Sequence, residues 1–297
     1  MTGAAHAWNT AGMRVETEPD LSAFAAGALP WLRGDPVAGN LIAGNVRSRL
    51  DGLNELEPGA LWIRVLDGDA LTGVAMVTPP HMLCVPVLSE KAVVALADTL
   101  AERGTALPGV TGPRATVERF VARWSVRTGA AAERGTALMI YELTDLKAPE
   151  GVSGTPRQAA PGDLETLADW VAAFSADVHS PVERTPEQRR EYTARRIERG
   201  MLWLWEDDGV PVSMALRTGV VEGIVKISVV YTPPEHRGHG YAAASVAGLC
   251  ERLLATPGVE RCILYADLDN PTSNGVYRRI GFTPAVEAVD YTFRPRP

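Results

Sequence analysis

Cysteine is scarce in this sequence, and its few cysteines form no pattern. Only three of the 297 residues are cysteines, namely Cys84, Cys250 and Cys262. Their number is odd, their spacing is wide and no C-x-x-C pair occurs, which argues against a disulfide framework. Each lies in an apolar stretch, so we expect all three to be core residues of a cytoplasmic protein.

Long apolar runs and an excess of positive charge are also missing. No window of 18 apolar residues occurs, so no transmembrane helix is expected. Residues 1–12 lack the basic and apolar regions of a secretory signal, and we interpret them as a disordered leader. The net charge of −7 disfavours nucleic acid and an anionic membrane surface as partners.

One stretch without apolar periodicity divides the chain into two halves. In residues 146–156, LKAPEGVSGTP, prolines and glycines lie on both sides of Val152, which is typical of a linker. We therefore predict a first domain at 13–146, a linker at 147–156 and a second domain at 157–297.

Apolar periodicity and turn residues predict a similar order of elements in the two halves. In the first half, helices are predicted at 21–32, 37–50 and 89–103, and strands at 60–66, 71–77, 82–88 and 139–143. In the second half, helices are predicted at 163–176, 186–199, 240–254 and 271–280, and strands at 201–206, 211–218, 224–231, 262–266 and 289–293. The fold class is α/β (α+β), and the repeated order indicates a tandem duplication.

The strongest chemical signal is the segment 229–242, VVYTPPEHRGHGYA, in which a strand ends and a glycine-rich loop opens a helix. Such a loop directs backbone N–H groups and the positive end of the helix dipole at one spot. Gly238 and Gly240 let an anion approach the backbone, and Arg237 adds a full positive charge. The segment predicts a pyrophosphate-binding site.

Three other interpretations of this loop compete. A simple tight turn stays open, whereas a P-loop is excluded because no Gly-Lys-Ser/Thr follows. The G-x-G-x-x-A pattern from Gly238 matches a dinucleotide fingerprint, but the expected acidic residue falls near Glu260, before the next strand. His236 and His239 lie three apart without a third ligand close in sequence, so we expect no metal.

A second segment, 270–282 (NPTSNGVYRRIGF), predicts a turn, a capped helix and the start of a strand. Asn270 is a natural N-cap, and Gly281 occupies the position of a left-handed C-terminal cap. Asn270, Asn274 and Tyr277 share one helix face, with Ser273 one turn before the tyrosine. A purely structural interpretation makes Asn270 a cap and Tyr277 a half-buried core aromatic.

These two segments resemble the GNAT superfamily of N-acetyltransferases. The hexapeptide RGHGYA, residues 237–242, matches the family's Arg/Gln-x-x-Gly-x-Gly/Ala motif at every fixed position. The Asn-rich turn before a helix with a tyrosine, and the Gly-Phe after it, are also similar to the family. The resemblance covers about residues 155–294. It implies two tandem GNAT-like domains, each a mixed, mostly antiparallel sheet flanked by helices, with acetyl-CoA as co-substrate and no metal.

The resemblance also implies roles for individual residues. The CoA pyrophosphate would bind the loop formed by Arg237, Gly238, His239, Gly240, Tyr241 and Ala242. The pantetheine arm would run along Val229, Val230 and Tyr231, where one backbone N–H polarises the thioester carbonyl. The cofactor would also contact Asn270, Ser273 and Asn274. Tyr277 would lie near the CoA sulfur and protonate the leaving thiolate.

The implied reaction is direct attack of a primary amine on the acetyl thioester. Glu222, just before the central strand, is the candidate general base, although a solvated position beside the following turn is the simpler interpretation. His179 and Glu183 lie in a region that often shapes the acceptor pocket in this family, and they are equally compatible with solvated loop positions. A small-molecule amine is favoured over a protein acceptor, in a monomer or homodimer.

Two other functions stay open: a non-catalytic acyl-CoA sensor and a protein lysine or N-terminal acetyltransferase. Tyr277 favours an enzyme over the sensor. A thiol-forming enzyme such as mycothiol synthase is also a tandem member of the family, but no specific residue match supports it.

The N-terminal half has no counterpart of the phosphate loop. The corresponding residues 85–91, VPVLSEK, contain no glycine and place an acid where phosphate would bind. We expect a degenerate GNAT-like domain that supports the catalytic half.

Overall fold

The computed structural model describes residues 12–178 and 184–294. Packing divides the chain into two compact units. Unit 1 contains the residues up to Ile140, together with Asp267–Asp269 and the residues from Ala285 onward. Unit 2 contains Tyr141–Ala266 and Asn270–Pro284. The predicted leader, apart from Gly12, lies outside the described residues.

Unit 1 is a mostly antiparallel sheet covered by helices. Its helices are α1 (Leu21–Leu32), α2 (Asn40–Leu50), α3 (Glu90–Glu102) and α4 (Arg114–Thr128). Its strands are β1 (Met13–Glu18), β2 (Leu61–Asp67), β3 (Ala70–Val77), β4 (Leu83–Cys84), β5 (Gly109–Pro113), β6 (Ala131–Leu143) up to Ile140, and β12 (Phe282–Arg294) from Ala285. The strand order includes β1-β2-β3-β4-β5-β12, in which only the β4–β5 pair is parallel.

Helices α3 and α4 contribute apolar side chains at helical spacing to the core of unit 1. Leu96 and Leu100 of α3 and Val117 and Phe120 of α4 are almost fully buried. Burial of each such side chain contributes roughly 2 kcal/mol. The core of unit 1 thus depends on two helices, of which the sequence pattern predicts only α3.

Three elements of unit 1 are not predicted from the sequence, namely β1, β5 and α4. The sequence of β5, GVTGP, resembles a loop, because glycine and proline are depleted in strands. In α4 the buried stripe of Val117, Phe120 and Trp124 is interrupted by arginines, so its periodicity is weak. Pairing with neighbouring strands stabilises β5, and packing against the core stabilises α4, although their local sequences favour neither element.

Unit 2 has the same order of elements around its own mostly antiparallel sheet. Its helices are α5 (Leu164–Asp177), α6 (Pro186–Glu198), α7 (Tyr241–Leu254) and α8 (Pro271–Arg279). Its main strands are β7 (Thr155–Gln158), β8 (Leu202–Asp207), β9 (Val210–Arg217), β10 (Ile224–Tyr231) and β11 (Arg261–Asp267). The strand order is β11-β10-β9-β8-β7, and β10–β11 is the parallel pair. The predicted fold class is confirmed.

Two clusters attach the helices of unit 2 to this sheet. Leu167 and Val171 of α5 pack with Leu204 and Met214 of the sheet. Helix α7 packs through Ala244 in a second cluster with Trp205 and Val212. Because successive side chains of a strand point to opposite faces, Leu204 and Trp205 serve different helices.

The three cysteines are buried and form no disulfide, as the sequence predicted. Cys250 lies on α7 and Cys262 on β11, where each faces the core of unit 2. Within the described ranges, no helix has the length and apolar character needed to span a membrane.

Two stretches lie elsewhere than the predicted domain plan suggested. Residues 155 and 156, at the end of the predicted linker, already belong to β7, where Pro156 pairs with Trp205. The strand predicted at 289–293 extends over 282–294, and its residues 288–292 pair antiparallel with 109–113 of unit 1. A local pattern predicts a strand but not the sheet that it joins, because every sheet edge offers the same backbone hydrogen bonds.

Gly281 provides a test of the close packing after α8. Its φ is +100°, which agrees with the predicted C-terminal cap, and an added Cβ would collide with the carbonyl oxygen of Asp145. We expect Gly281→Ala to lower the free energy of unfolding by about 3 kcal/mol or more, because the backbone at Asp145 must move.

Gly258 is the matched control, since its φ is +84° and a Cβ there would meet open space. Gly258→Ala should lower the free energy of unfolding by only about 1 kcal/mol, through the backbone conformation alone. Urea denaturation measures both changes, and equal losses would refute the importance of the contact with Asp145.

Candidate functional site

The sheet of unit 2 is irregular near the end of β10, where its pairing with β11 has ended and its pairing with β9 is interrupted. Strands β10 and β11 pair in parallel over residues 224–227 and 261–264. On its other side, β10 changes register against β9 between Ser228 and Tyr231, so that two residues oppose one. This β-bulge takes residues 229 and 230 out of regular pairing and leaves their backbone groups for another partner.

Val229, in the middle of the bulge, has a strained backbone. Its φ is +48°, which is rare for a β-branched residue and costs about 1–3 kcal/mol. Such a conformation persists only where the surroundings enforce it. Here the fully buried Ser213 donates its hydroxyl to the carbonyl of Tyr231 at 3.1 Å and accepts one from the Thr232 hydroxyl at 2.9 Å. These bonds fix the end of β10.

The loop after β10 presents uncapped backbone N–H groups. A 3₁₀ turn at Pro234–His236 precedes Gly238, with φ +86°, and Gly240, with φ +82°. Gly240 is the N-cap of α7, and no side chain there accepts a hydrogen bond from the first turn. The N–H groups of the first turn, including that of Ala242, are thus open to an anion.

Arg237 is exposed beside this loop and already has an acidic partner. Its guanidinium donates to the Thr232 carbonyl at 3.0 Å and to Asp177, at the end of α5, at 2.9 Å. The guanidinium also lies 5.8 Å from the centre of the Tyr231 ring. An ion pair this exposed contributes at most about 1 kcal/mol, so a phosphate can compete with Asp177 for the arginine.

A hydrogen-bond network anchors the start of α7. The Tyr241 hydroxyl donates to Asp207 at 2.5 Å, and the Ser153 hydroxyl donates to the same carboxylate oxygen at 2.7 Å. These two bonds lower the pKa of Asp207, and the bond to the carboxylate raises the pKa of Tyr241. The His239 ring stacks on Tyr241 at 5.5 Å between centroids. The network holds the loop in place from the protein side.

Ser153 and Asp207 were not singled out from the sequence. One lies in the predicted linker and the other beside a hairpin turn, where polar residues are ordinary, so neither carries a local signal. Val152 of the same stretch lies beside Gly240, and a Cβ added to that glycine would come within 3.0 Å of it.

The asparagines of the second segment have mainly structural partners. Asn270 is the N-cap of α8, and its side chain accepts a hydrogen bond from the Ser273 N–H at 3.0 Å. Asn274 is buried, accepts a hydrogen bond from the Tyr141 hydroxyl at 2.9 Å and donates to the Asn270 carbonyl at 2.8 Å. Both the oxygen and the nitrogen of its amide thus have hydrogen-bond partners, which position α8. A contact of Asn274 with a cofactor stays a prediction.

Tyr277 is half-buried on α8 and packs edge-on against Phe282, with ring centroids 6.2 Å apart. Burial raises the pKa of its phenol to about 12. The hydroxyl forms no hydrogen bond to any other described residue. Since β10 and β11 are parallel, the loops that follow them lie at the same edge of the sheet, and α8 begins directly after the second loop.

The candidate base, Glu222, lies before the first residue of β10, whereas the bulge lies near the last residue of that strand. Glu222 lies in the turn before β10, with φ +51°. It is seven positions before Val229, or roughly 20 Å along an extended strand. His179 and Glu183 lie outside the described residues. Over the described ranges, no group of three or more His, Cys, Asp or Glu side chains is arranged to hold a metal ion.

The equivalent place in unit 1 is closed. The Val85 N–H donates to the Thr111 carbonyl at 3.0 Å, and a Cβ on Gly112 would collide with the Val85 carbonyl. The Leu88 N–H donates to the Thr116 hydroxyl at 3.2 Å. Backbone groups next to α3 therefore have internal partners, and the degenerate role of this domain stays a prediction.

Comparison with known proteins gives one family match. Residues 165–282 match the Acetyltransferase (GNAT) family. A mycothiol acetyltransferase of Corynebacterium efficiens is 27% identical over 149 residues, which cover 48% of this chain and 50% of that protein. The chain thus spans about half the length of the curated relatives it matches.

Solved structures are similar over nearly the whole chain. A GNAT-family acetyltransferase from Colwellia psychrerythraea has a TM-score of 0.63 at 14% identity and covers 94% of this chain and 99% of its own. A tandem GNAT protein from the clavulanic acid biosynthesis pathway has a TM-score of 0.59 at 15% identity, covering 95% and 99%. At these identities the similarity concerns the fold.

The raised pKa of Tyr277 can be measured directly by spectroscopic titration. Ordinary tyrosines ionise near pH 10, whereas Tyr277 should keep its proton until about pH 12. Wild type and Tyr277→Phe should therefore gain the same tyrosinate absorbance at 295 nm up to about pH 11, and wild type should gain more above it. Far-ultraviolet circular dichroism checks that both stay folded. A variant that loses a step centred near pH 10 would contradict the burial of the phenol.

Proposed function

Because residues 165–282 match the Acetyltransferase (GNAT) family, we propose that this chain transfers an acetyl group from acetyl-CoA to a primary amine of a small molecule. The observation that carries the proposal is the strained bulge at Val229 followed by the uncapped N-terminus of α7. The two features together offer a backbone ladder for an extended thioester arm and N–H groups for a pyrophosphate.

The proposed placement of acetyl-CoA uses backbone more than side chains. The pyrophosphate binds the N–H groups from Gly238 to Ala242. Arg237 breaks its ion pair with Asp177 and forms one with a phosphate instead. The pantetheine arm pairs with residues 229–231. Open space above Gly238 leaves room for the phosphate oxygens, since a Cβ there would meet nothing within 4 Å.

The proposed reaction joins the amine nitrogen to the acetyl carbon and breaks the carbon–sulfur bond. The neutral amine attacks, and a backbone N–H of the bulge stabilises the oxyanion. The proton lost by the amine nitrogen ends on the sulfur, so that amide and thiol both leave neutral. Glu222, in the turn before β10, stays the sequence-based candidate for the general base.

Tyr277 is better suited to donate a hydrogen bond to the sulfur than to give up its proton. Its pKa of about 12 lies well above the 8.5 or so of a thiol, so complete transfer from the phenol to the thiolate is uphill. A neutral phenol at physiological pH nevertheless stabilises the developing thiolate through a charge-assisted hydrogen bond. This refines the role of general acid expected from the sequence.

The acceptor is proposed to be a small molecule. The curated relatives are named for mycothiol, which favours a small-molecule acceptor over a protein, although the residues alone did not point to a thiol-forming enzyme. The non-catalytic sensor stays the alternative, and it differs by binding acetyl-CoA without turnover of any amine.

Cofactor binding is tested by calorimetric titration of acetyl-CoA. Gly240→Glu places bulk and negative charge in the loop, so we expect it to abolish binding that wild type shows. Gly258→Glu is the matched control, because it adds the same charge at a similar φ, +84° against +82°, beyond the far end of α7. Binding that survives in Gly240→Glu, or disappears equally in both variants, would count against the proposed site.

The role of Tyr277 is tested by CoA release with a panel of small primary amines. Tyr277→Phe should lower kcat about 10- to 100-fold, the value of one hydrogen bond to a developing charge, while the Kd of acetyl-CoA stays the same. Wild-type kcat should not fall between pH 8 and 10, because the phenol does not titrate there. An unchanged kcat in the variant would remove Tyr277 from the mechanism.

A further inference from the structure

Four aromatic side chains lie together beside the bulge of β10. The Trp170 ring of α5 is 6.2 Å from the Tyr231 ring of β10, tilted by 54°. Phe174 of α5 and Tyr192 of α6 are half-buried against the same core cluster, to which Val229 also belongs. We call Trp170, Phe174, Tyr192 and Tyr231 the aromatic cluster. Val229, whose backbone forms the bulge, packs against the same core, so the aromatic cluster lies near the proposed position of the thioester.

A buried cation adjoins the aromatic cluster. Arg196 of α6 is only 7% exposed, and its guanidinium stacks on the Tyr192 ring at 3.3 Å from the centroid. It donates one hydrogen bond, to the Tyr192 carbonyl, at 3.0 Å. Arg184 lies 4.3 Å from the centre of the same ring. Two positive charges thus flank Tyr192.

Arg196 has no carboxylate partner within residues 12–178 and 184–294. Burial lowers the pKa of its guanidinium, and the nearby Arg184 and Arg195 lower it further. A buried charge without a counter-ion is costly, so proteins seldom keep one without a use. The neighbouring exposed arginine, Arg195, forms an ion pair with Glu191 of the same helix. Of these two adjacent arginines, only the buried one therefore lacks a carboxylate partner among the described residues.

A second polar group on the buried face of α6 also lacks a partner. The side chain of Thr193 is fully buried, and its hydroxyl has no hydrogen-bond partner in the described part of the chain. Since Thr193 and Arg196 are three residues apart, they are neighbours on the helix surface. A guanidinium and a hydroxyl side by side can together bind a planar anion.

We propose that Arg196, next to the aromatic cluster, binds the carboxylate of the acceptor, which is an amino acid with an aromatic or large apolar side chain. The side chain of the acceptor packs on the aromatic cluster, and its amine reaches the thioester at the bulge. This inference rests on the proposed acetyl transfer and names the substrate class of that site. The positive charge of Arg196 also favours the neutral form of a nearby amine, which is the form that attacks.

The test compares phenylalanine with phenethylamine, which has the same ring and amine but no carboxylate. Wild type should acetylate phenylalanine with a kcat/KM at least about tenfold higher, the typical effect of a charged hydrogen-bond pair. Arg196→Gln should reduce this preference to near unity, and Arg196→Lys should retain part of it. Arg195→Gln, an exposed position on the same helix, should leave it unchanged.

A binding measurement keeps the inference testable if turnover is slow. N-Acetylphenylalanine and N-acetylphenethylamine are titrated calorimetrically into protein saturated with CoA, and only the first should lose affinity on Arg196→Gln. Equal affinity of wild type for the two compounds, or an unchanged ratio in Arg196→Gln, would overturn the inference. The Kd of acetyl-CoA distinguishes failure of the substrate-class inference from failure of the proposed acetyl transfer. If wild type and Arg196→Gln bind acetyl-CoA equally well while the preference is absent, only the substrate class is wrong. If wild type does not bind acetyl-CoA, both proposals fail.

Discussion

The candidate site of this protein depends on one backbone constraint, the positive φ of Val229 in β10. A β-branched residue adopts this conformation only when the surrounding structure enforces it. The backbone just after Val229 is fixed by the Ser213 hydroxyl, which donates to the Tyr231 carbonyl and accepts from the Thr232 hydroxyl. The resulting bulge interrupts the pairing of β10 with β9, which resumes at Tyr231. The proposed place of the thioester arm depends on this interruption, because a bulge leaves a residue outside the ladder of strand hydrogen bonds.

The glycine loop next to the bulge is held rigid from its protein side and left open on its other side. Tyr241 and Ser153 share Asp207, and Arg237 is fixed by Thr232 and Asp177. A site prepared in this way loses little conformational entropy when an anion binds. Asn274 likewise has internal partners, although it lies in a segment similar to a cofactor motif. Its amide accepts a hydrogen bond from Tyr141 and donates one to Asn270.

Much of unit 2 was predictable because its signals are local. The N-cap Asn270, the C-terminal Gly281 and the bounds of β10 were all predicted and are found, since caps and alternating apolar strands depend on residues a few positions apart. The resemblance to the GNAT family also rested on short contiguous segments, and it is confirmed by the family match. In unit 1, α4 and β5 were missed because arginines and glycines hide their patterns.

By itself, the sequence determined the fold class, the resemblance to the GNAT family and the place of the glycine loop, because each depends on residues that are neighbours in the chain. Only the tertiary structure decided that β12 joins unit 1 from Ala285 onward and that Arg196 is buried beside Tyr192. These facts depend on which distant residues share a sheet or a core. Such pairings are fixed by packing over the whole chain, and no single segment encodes them.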